Sequence, residues 1–330
     1  MKVSSTNDSN QEQICLNTLS SPKSTEYDLG TNCNGDTQSN KVLIIGLGQL
    51  GLPVARYVSK KGFDTYGYDL SHQAIERAEK TAAVKKAVNF SEFDVYILCV
   101  STHKADDMSS PQIDGLLSIA EKISLEAKNG ALVSIESTIP KGTSNKIFEI
   151  VNHRLHVVHA PHRWYSLEEK EHGVNQLRVI GGVCNCCLKA GMQFYGVAEV
   201  TSAPISNRGL GIPMNPVSNV EIAETTKVVE NAHRYLQIAF AEDLYLYCQA
   251  NNINFSELRD ALNTKWNVNI LEPREGIGGH CLPKDTKMFL QSSKAFKSKI
   301  LTGAMEVDED YRSYRQCKDK RTVSPSISTR

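Results

Sequence analysis

The pattern of apolar and polar positions changes character at residue 41. Over residues 1–40 Ser, Asn, Thr, Asp and Gln dominate without a hydrophobic period, which predicts a disordered extension. From Lys41 onward, short apolar runs alternate with segments of helical period. Lys41–Ile45, Phe63–Asp69, Val95–Val100 and Ala131–Ile135 read as strands, and Leu52–Lys61, Gln73–Thr81 and Ile113–Ala127 as the helices between them. A run such as Val42-Leu43-Ile44-Ile45, apolar at every position, suits a strand covered on both faces. Strands alternating with helices predict a parallel, doubly wound sheet. Val157–Pro161 and Leu177–Gly182 read as later strands of the same unit, which is placed at residues 41–202.

Residues 203–219 hold three prolines and two glycines among Ser and Asn, and are read as a linker. Beyond them one long helical pattern runs from Val220 to about Asn251, through Ala223, Val228, Ala232, Tyr235, Ala239 and Leu244. Shorter helical stretches follow at Phe255–Asn263 and from about Lys284 to Ala295. The fold class is therefore α/β: an N-terminal Rossmann-type doubly wound parallel sheet, then, at 220–311, a mainly helical central domain that contains the long helix. The polar stretch 312–330 is read as a flexible tail.

Composition narrows the function. Lys+Arg and Asp+Glu number 37 each, so net charge gives no case for nucleic acid or a membrane surface as the partner. No apolar run reaches the roughly 18 to 20 residues of a membrane span, and the N-terminus has no signal-peptide core. The expectation is a soluble, cytoplasmic protein. Its nine scattered cysteines fit a reducing compartment better than a disulfide framework. In Cys184-Asn185-Cys186-Cys187 three thiols crowd into four residues with no second pair at a suitable distance. That is a poor tetrahedral set, so a cysteine-rich surface turn is expected and no metal is assigned.

Two stretches carry chemistry. Gly46-Leu47-Gly48-Gln49-Leu50-Gly51 follows a strand and opens a helix, and Asp69 lies 18 residues after Gly51. This is the context of a dinucleotide site. Gly46 permits the turn, Gly48 lets pyrophosphate approach the backbone, and Gly51 allows close helix–strand packing. The helix N-terminus offers N–H groups to phosphate. A carboxylate at Asp69 accepts from ribose hydroxyls and repels a 2′-phosphate, and Leu70-Ser71-His72 bring no arginine, so NAD is expected. The second stretch, Gly276-Ile277-Gly278-Gly279-His280-Cys281-Leu282-Pro283-Lys284-Asp285, presents Cys281 from a loop whose glycines, Gly278 and Gly279 among them, let a ligand approach closely. A thiol so placed is a candidate nucleophile.

With Glu136-Ser137-Thr138-Ile139-Pro140-Lys141-Gly142-Thr143 and Glu224-Thr225-Thr226-Lys227-Val228-Val229-Glu230-Asn231, these stretches resemble the UDP-glucose/GDP-mannose dehydrogenase family over about residues 41–300. That resemblance implies NAD-dependent oxidation of a nucleotide-sugar alcohol to the carboxylate by two hydride transfers, within polysaccharide synthesis. Cys281 would capture the aldehyde, and Lys227 with Asn231, four residues apart on one helical face, would stabilise the oxyanion. Asp285 would position or deprotonate water, Thr138 would bond substrate or water near the nicotinamide, and Ser101 and Thr102 would contact NAD. It further implies a UDP-sugar as substrate, of the UDP-N-acetylmannosamine or UDP-glucose type, and a homodimer built on the long helix.

Two departures stand out. Where the family carries glutamate in a P-E-R or P-E-F segment, this chain has Pro161-His162-Arg163, with Glu168, Glu169 and Glu171 following nearby. The resemblance implies that His162 and Arg163 contact substrate, with His162 either an alternative base or a replacement that leaves hydrolysis slow. Family members also continue into a further domain. A separate chain supplying it, a more open site, or an uncompleted reaction are the alternatives. Two other readings stay open: a catalytically silent NAD-binding paralogue acting as partner or regulator, and a β-hydroxyacid-type dehydrogenase that has no use for Cys281.

Overall fold

The computed structural model describes residues 41–323, apart from 105, 108, 165–169, 171–172, 197–208 and 293–296. The expected extension at 1–40, Glu168, Glu169, Glu171, the first part of the linker and residues 324–330 lie outside the described residues.

Eight strands form one sheet. In chain order they are β1 (Lys41–Ile45), β2 (Asp64–Tyr68), β3 (Lys85–Lys86), β4 (Val95–Leu98), β5 (Leu132–Ile135), β6 (His156–His159), β7 (Arg178–Gly182) and β8 (Met214–Pro216). Their spatial order is β3-β2-β1-β4-β5-β6-β7-β8, parallel throughout except that β7 runs antiparallel to β6. The first six follow the Rossmann order, with the switch point between β1 and β4. Helices α1 (Gly51–Lys60), α2 (His72–Ala82), α3 (Asp114–Glu126), α4 (Thr143–Ile150) and α5 (Asn185–Tyr195) complete this unit. Val42, Leu43, Ile44, Ile45, Val95, Tyr96, Ile97 and Leu98 are at most 1% exposed, so β1 and β4 are covered on both faces as their unbroken apolar runs require. Burying such side chains stabilises the fold by roughly 1.5–3 kcal/mol each.

The described part of the expected linker is not free. Leu210 and Ile212 are buried in the main core, and Met214–Pro216 joins the sheet as β8 beside β7. Pro213, Pro216, Gly209 and Gly211 mark an edge strand and its approach rather than a free linker. The chain then enters α6 (Val220–Ala250), where Asn219 caps the first turn by accepting from the Glu221 N–H at 2.8 Å. A Cβ on Gly181 would lie 2.7 Å from the Val220 Cα, so the absence of a side chain there lets α6 start directly against β7.

α6 continues for 31 residues, and α7 (Phe255–Leu262), α8 (Cys281–Gln291) and α9 (Lys299–Val323) follow. Val228, Ala232, Tyr235, Ala239 and Glu242 form its buried seam, at alternating spacings of four and three, facing α8 and α9. The tail expected to be flexible from 312 is helical to Val323. Tyr311 is fully buried, Tyr314 bonds Gln249 on α6, and Arg315 pairs with Glu275. These contacts hold a segment whose polar composition conceals its inner face.

Candidate active site

Most of the sequence-derived site residues sit at the carboxyl ends of the parallel strands, the crevice side of such sheets. Gly46 follows β1, Asp69 follows β2, Ser101 and Thr102 follow β4, Thr138 follows β5, and His162 and Arg163 follow β6. Gly46 has φ of +90°, and a Cβ there would meet the Cys99 carbonyl at 2.7 Å. A Cβ on Gly51 would sit 1.7 Å from the Gly46 carbonyl oxygen, whereas one on Gly48 would meet nothing within 4 Å. The loop is thus packed at both ends and open in the middle, with Gly48 and Gln49 exposed and Leu50 half-buried. No acidic or capping side chain occupies the start of α1, so its N–H groups can receive phosphate. Asp69 accepts from the Leu47 N–H at 2.7 Å and the Ser71 N–H at 2.8 Å, which orients the carboxylate and leaves lone pairs for ribose hydroxyls. These residues fit NAD.

The second half of the site comes from the helical domain. Cys281 is the first residue of α8, exposed, with its Sγ 3.4 Å from the His280 Nε2. Gly279 (φ +73°) and Gly278 are exposed and have open space around their Cα atoms, so the cysteine loop is accessible to a ligand. Enough protein surrounds the thiol for desolvation to raise its pKa; Asp285 raises it further, while Lys284 and Lys227 pull it down. Asp285, 1% exposed, receives the Lys284 ammonium on one oxygen and the Asn231 amide on the other. Asn231 thereby keeps its second N–H for a substrate oxygen. Lys227, one helical turn before Asn231 on α6, has no hydrogen-bond partner among the described residues. Burial lowers its pKa against the opposing pull of Asp285, Glu230 and Cys281. Lys227, Asn231, Cys281 and Asp285 therefore form one electrostatic cluster.

Lys284 was not singled out from the sequence. It is 4% exposed, and besides Asp285 it donates to the Thr102 Oγ1 at 3.3 Å. Thr102 in turn donates to the Thr138 carbonyl at 2.8 Å, and the half-buried Thr138 hydroxyl has no partner among the described residues. This ammonium joins the Thr102–Thr138 edge to the cysteine helix, and Lys287 on the same helix reaches the loop after β4 by donating to the Ser109 Oγ at 2.9 Å. Glu224 was missed in the same way. From α6 it accepts the Gly142 N–H at 2.6 Å and the Ser144 N–H at 2.7 Å, capping α4 and fixing the loop that carries Thr138.

His162 and Arg163 are placed differently from the sequence expectation. His162 is buried; its Nδ1 accepts the Trp164 N–H at 2.9 Å, and its Nε2 lies against Arg178 and Glu136. Burial, then the charges of Arg178 and Lys227, hold its pKa well below the ordinary histidine value. Both ring nitrogens are committed to a buried network in which Arg178 pairs with Glu136 at 3.0 Å and Tyr195 donates to Glu136 at 2.7 Å. His162 is a structural residue here rather than a base facing substrate. Arg163 pairs with Glu230 on α6 through both Nη2 and Nε and donates to the Leu177 carbonyl, so it clamps the two domains. The cysteine-rich stretch is only partly at the surface: Cys184 stands just before α5 and is half-buried, as is Cys186, while Cys187 is fully buried in the first turn of the helix.

A dinucleotide fold with a cysteine on a glycine-rich loop, opposite a lysine and an asparagine on one long helix, defines a cysteine-bearing NAD-linked dehydrogenase. Residues 77–198 match the NAD binding domain, and residues 221–310 the central domain, of the UDP-glucose/GDP-mannose dehydrogenase family. The chain belongs to that family. It is 27% identical to the UDP-N-acetyl-D-mannosamine dehydrogenase of Methanococcus maripaludis, over 85% of this chain and 68% of that one. It is 28% identical to the enzyme of the same name from Campylobacter jejuni, over 87% of this chain and 75% of that one. Among solved structures, the UDP-D-ManNAc dehydrogenase of Pyrococcus horikoshii superposes with a TM-score of 0.72 at 25% identity, covering 87% of this chain and 73% of that one. Among the described residues no helix is long and apolar enough to cross a membrane.

Proposed function

We propose that the protein oxidises the C6 primary alcohol of a UDP-sugar of the N-acetylmannosamine class to the uronic acid, reducing two NAD per sugar and consuming one water. The observation that carries this is the clustering of Cys281, Lys227, Asn231 and Asp285 beside the Thr102–Thr138 edge of the cofactor crevice. Bound NAD supplies the hydride acceptor for each of the two oxidations, held by Gly46–Gly51, Asp69, Ser101 and Thr102.

Lys227 and the remaining N–H of Asn231 stabilise the developing alkoxide. The Cys281 sulfur attacks the aldehyde carbon, forming a C–S bond and a thiohemiacetal that keeps the reactive intermediate on the protein. Oxidation of that adduct leaves a thioester. Asp285 orients water, whose attack breaks the C–S bond and releases carboxylate and thiol. Gly278 and Gly279 leave room for the sugar. Pairing of two copies along α6, a cytoplasmic setting and a place in polysaccharide synthesis belong to the same reading. The exposed Ile222, Val229, Phe240 and Tyr247 of α6 support the pairing.

The test is NADH yield with limiting UDP-N-acetylmannosamine or UDP-glucose. Two equivalents are expected from the wild type with its preferred sugar, and no carboxylate from Cys281→Ser. One equivalent, or indifference to the substitution, would count against the thioester route. NAD binding with no NADH from either sugar would count against the activity itself.

A further inference from the structure

At the end of β6 remote from the cofactor crevice, the donor groups of His156, Cys186 and Cys187 converge, with the Cys184 thiol beside the two sulfurs, and the proposed reaction uses none of them. His156 is the first residue of β6, whose other end leads to the active site. Cys184, Cys186 and Cys187 form the turn from β7 into α5. The antiparallel pairing of β7 with β6 brings that turn back beside His156. The Cys184 Sγ lies 3.0 Å from the Cys186 Sγ and 3.2 Å from the Cys187 Sγ. The donor atoms of His156, Cys186 and Cys187 all lie within 4.8 Å of one another.

We propose that Cys184, Cys186, Cys187 and His156 form a site for a borderline-soft divalent cation of the zinc class. Three thiolates and one imidazole are a recognised tetrahedral set, with bonds of about 2.3 Å to sulfur and about 2.0–2.1 Å to nitrogen. Bonds of that length place sulfurs about 3.7 Å apart. The Cys184 sulfur, 3.0 and 3.2 Å from the other two, therefore has to draw back from them by about half an ångström or a little more and swing towards His156 to complete the set. The sequence offers no second cysteine pair, but the fold supplies the missing ligand from a strand 28 residues before Cys184. Two features of the surroundings suit a thiolate site. The Val157 N–H donates to the Cys187 Sγ at 3.3 Å, an outer contact that orients a ligand sulfur. The turn also opens α5, whose N-terminal dipole favours negative charge. A disulfide between Cys184 and Cys187 would use two of the four groups, whereas a cation uses all of them. Its place far from the crevice makes the site structural, a clip holding the start of α5 to β6.

The experiment uses the full chain carrying Cys281→Ser, which removes the exposed active-site thiol. The reduced, metal-free protein is titrated with Co²⁺ and followed by the thiolate-to-cobalt charge-transfer absorption, with bound metal counted by native mass spectrometry. One equivalent with a charge-transfer band is expected. His156→Gln and Cys184→Ser, both at half-buried positions, should each weaken binding on the order of ten-fold or more. NAD affinity should be unchanged. Absence of the band, a band untouched by both substitutions, or a Cys184–Cys187 disulfide forming in air despite excess metal would overturn the proposal.

Discussion

The Ile277 N–H donates to the Asp308 Oδ1 at 2.8 Å, tying the loop that presents Cys281 to helix α9. Arg312 completes the tie, pairing with Asp308 at 3.0 Å and donating to the Ile277 carbonyl. Replacing Asp308 by Ala leaves a buried N–H without its acceptor, which costs roughly 1–3 kcal/mol. It should also lower turnover by mislocating Cys281 while NAD affinity stays at the wild-type value. Thermal unfolding, NAD titration and NADH production on the same variant separate these effects. A parallel loss of NAD affinity would refute the idea that the tie serves only the cysteine loop.

Lys284 is a buried contact between the two halves of the site. Its methionine replacement keeps the stem but removes the ammonium from both Asp285 and Thr102. A buried carboxylate without its counter-ion costs roughly 3–5 kcal/mol. Lys284→Met should therefore be markedly less stable and nearly inactive. Wild-type turnover in this variant would exclude the ammonium from the working site.

Asp69, the glycine fingerprint and Cys281 were legible in the sequence because each lies in a contiguous motif with its own spacing. Lys284 was harder. It stands inside a recognised motif, yet its partner Thr102 is 182 residues away, and only the fold brings them together. α9 was missed because its inner face, Leu301, Ala304, Asp308 and Tyr311, contains a carboxylate that bonds rather than an apolar residue that packs. His162 misled for the converse reason. A histidine in a site motif looks like a base, but Arg178 and Glu136, from two other segments, hold it inside a buried network.

The Cys281 thiol is held above its ordinary value by desolvation and Asp285, against Lys284 and Lys227. The reactive thiolate is then a minor species near neutrality and grows as pH rises. Alkylation by iodoacetamide should accelerate steadily from pH 7 beyond pH 9. In Lys227→Met, which removes one of the charges favouring thiolate, the whole curve should move to higher pH. In Asp285→Asn it should move to lower pH. A plateau already reached at pH 7 would contradict this electrostatic arrangement.

Glu242 lies wholly buried between α6 and α9, and neither carboxylate oxygen has a hydrogen-bond partner among the described residues. Burial, with the Asp308 charge adding to it and Arg312 opposing, pushes its pKa up to about 8. The unfolded chain releases that proton near the ordinary glutamate value of about 4.3. Between those two values the folded state binds more protons than the unfolded one, so stability from this group falls as pH rises and levels off above about 8. Glu242→Gln keeps the shape and cannot titrate. Its melting temperature should exceed the wild type's by more at pH 8.5 than at pH 5.5, with a flatter profile between them. Thermal denaturation of both proteins across that range decides the matter, and a gain independent of pH would mean that this carboxyl is not the titrating group.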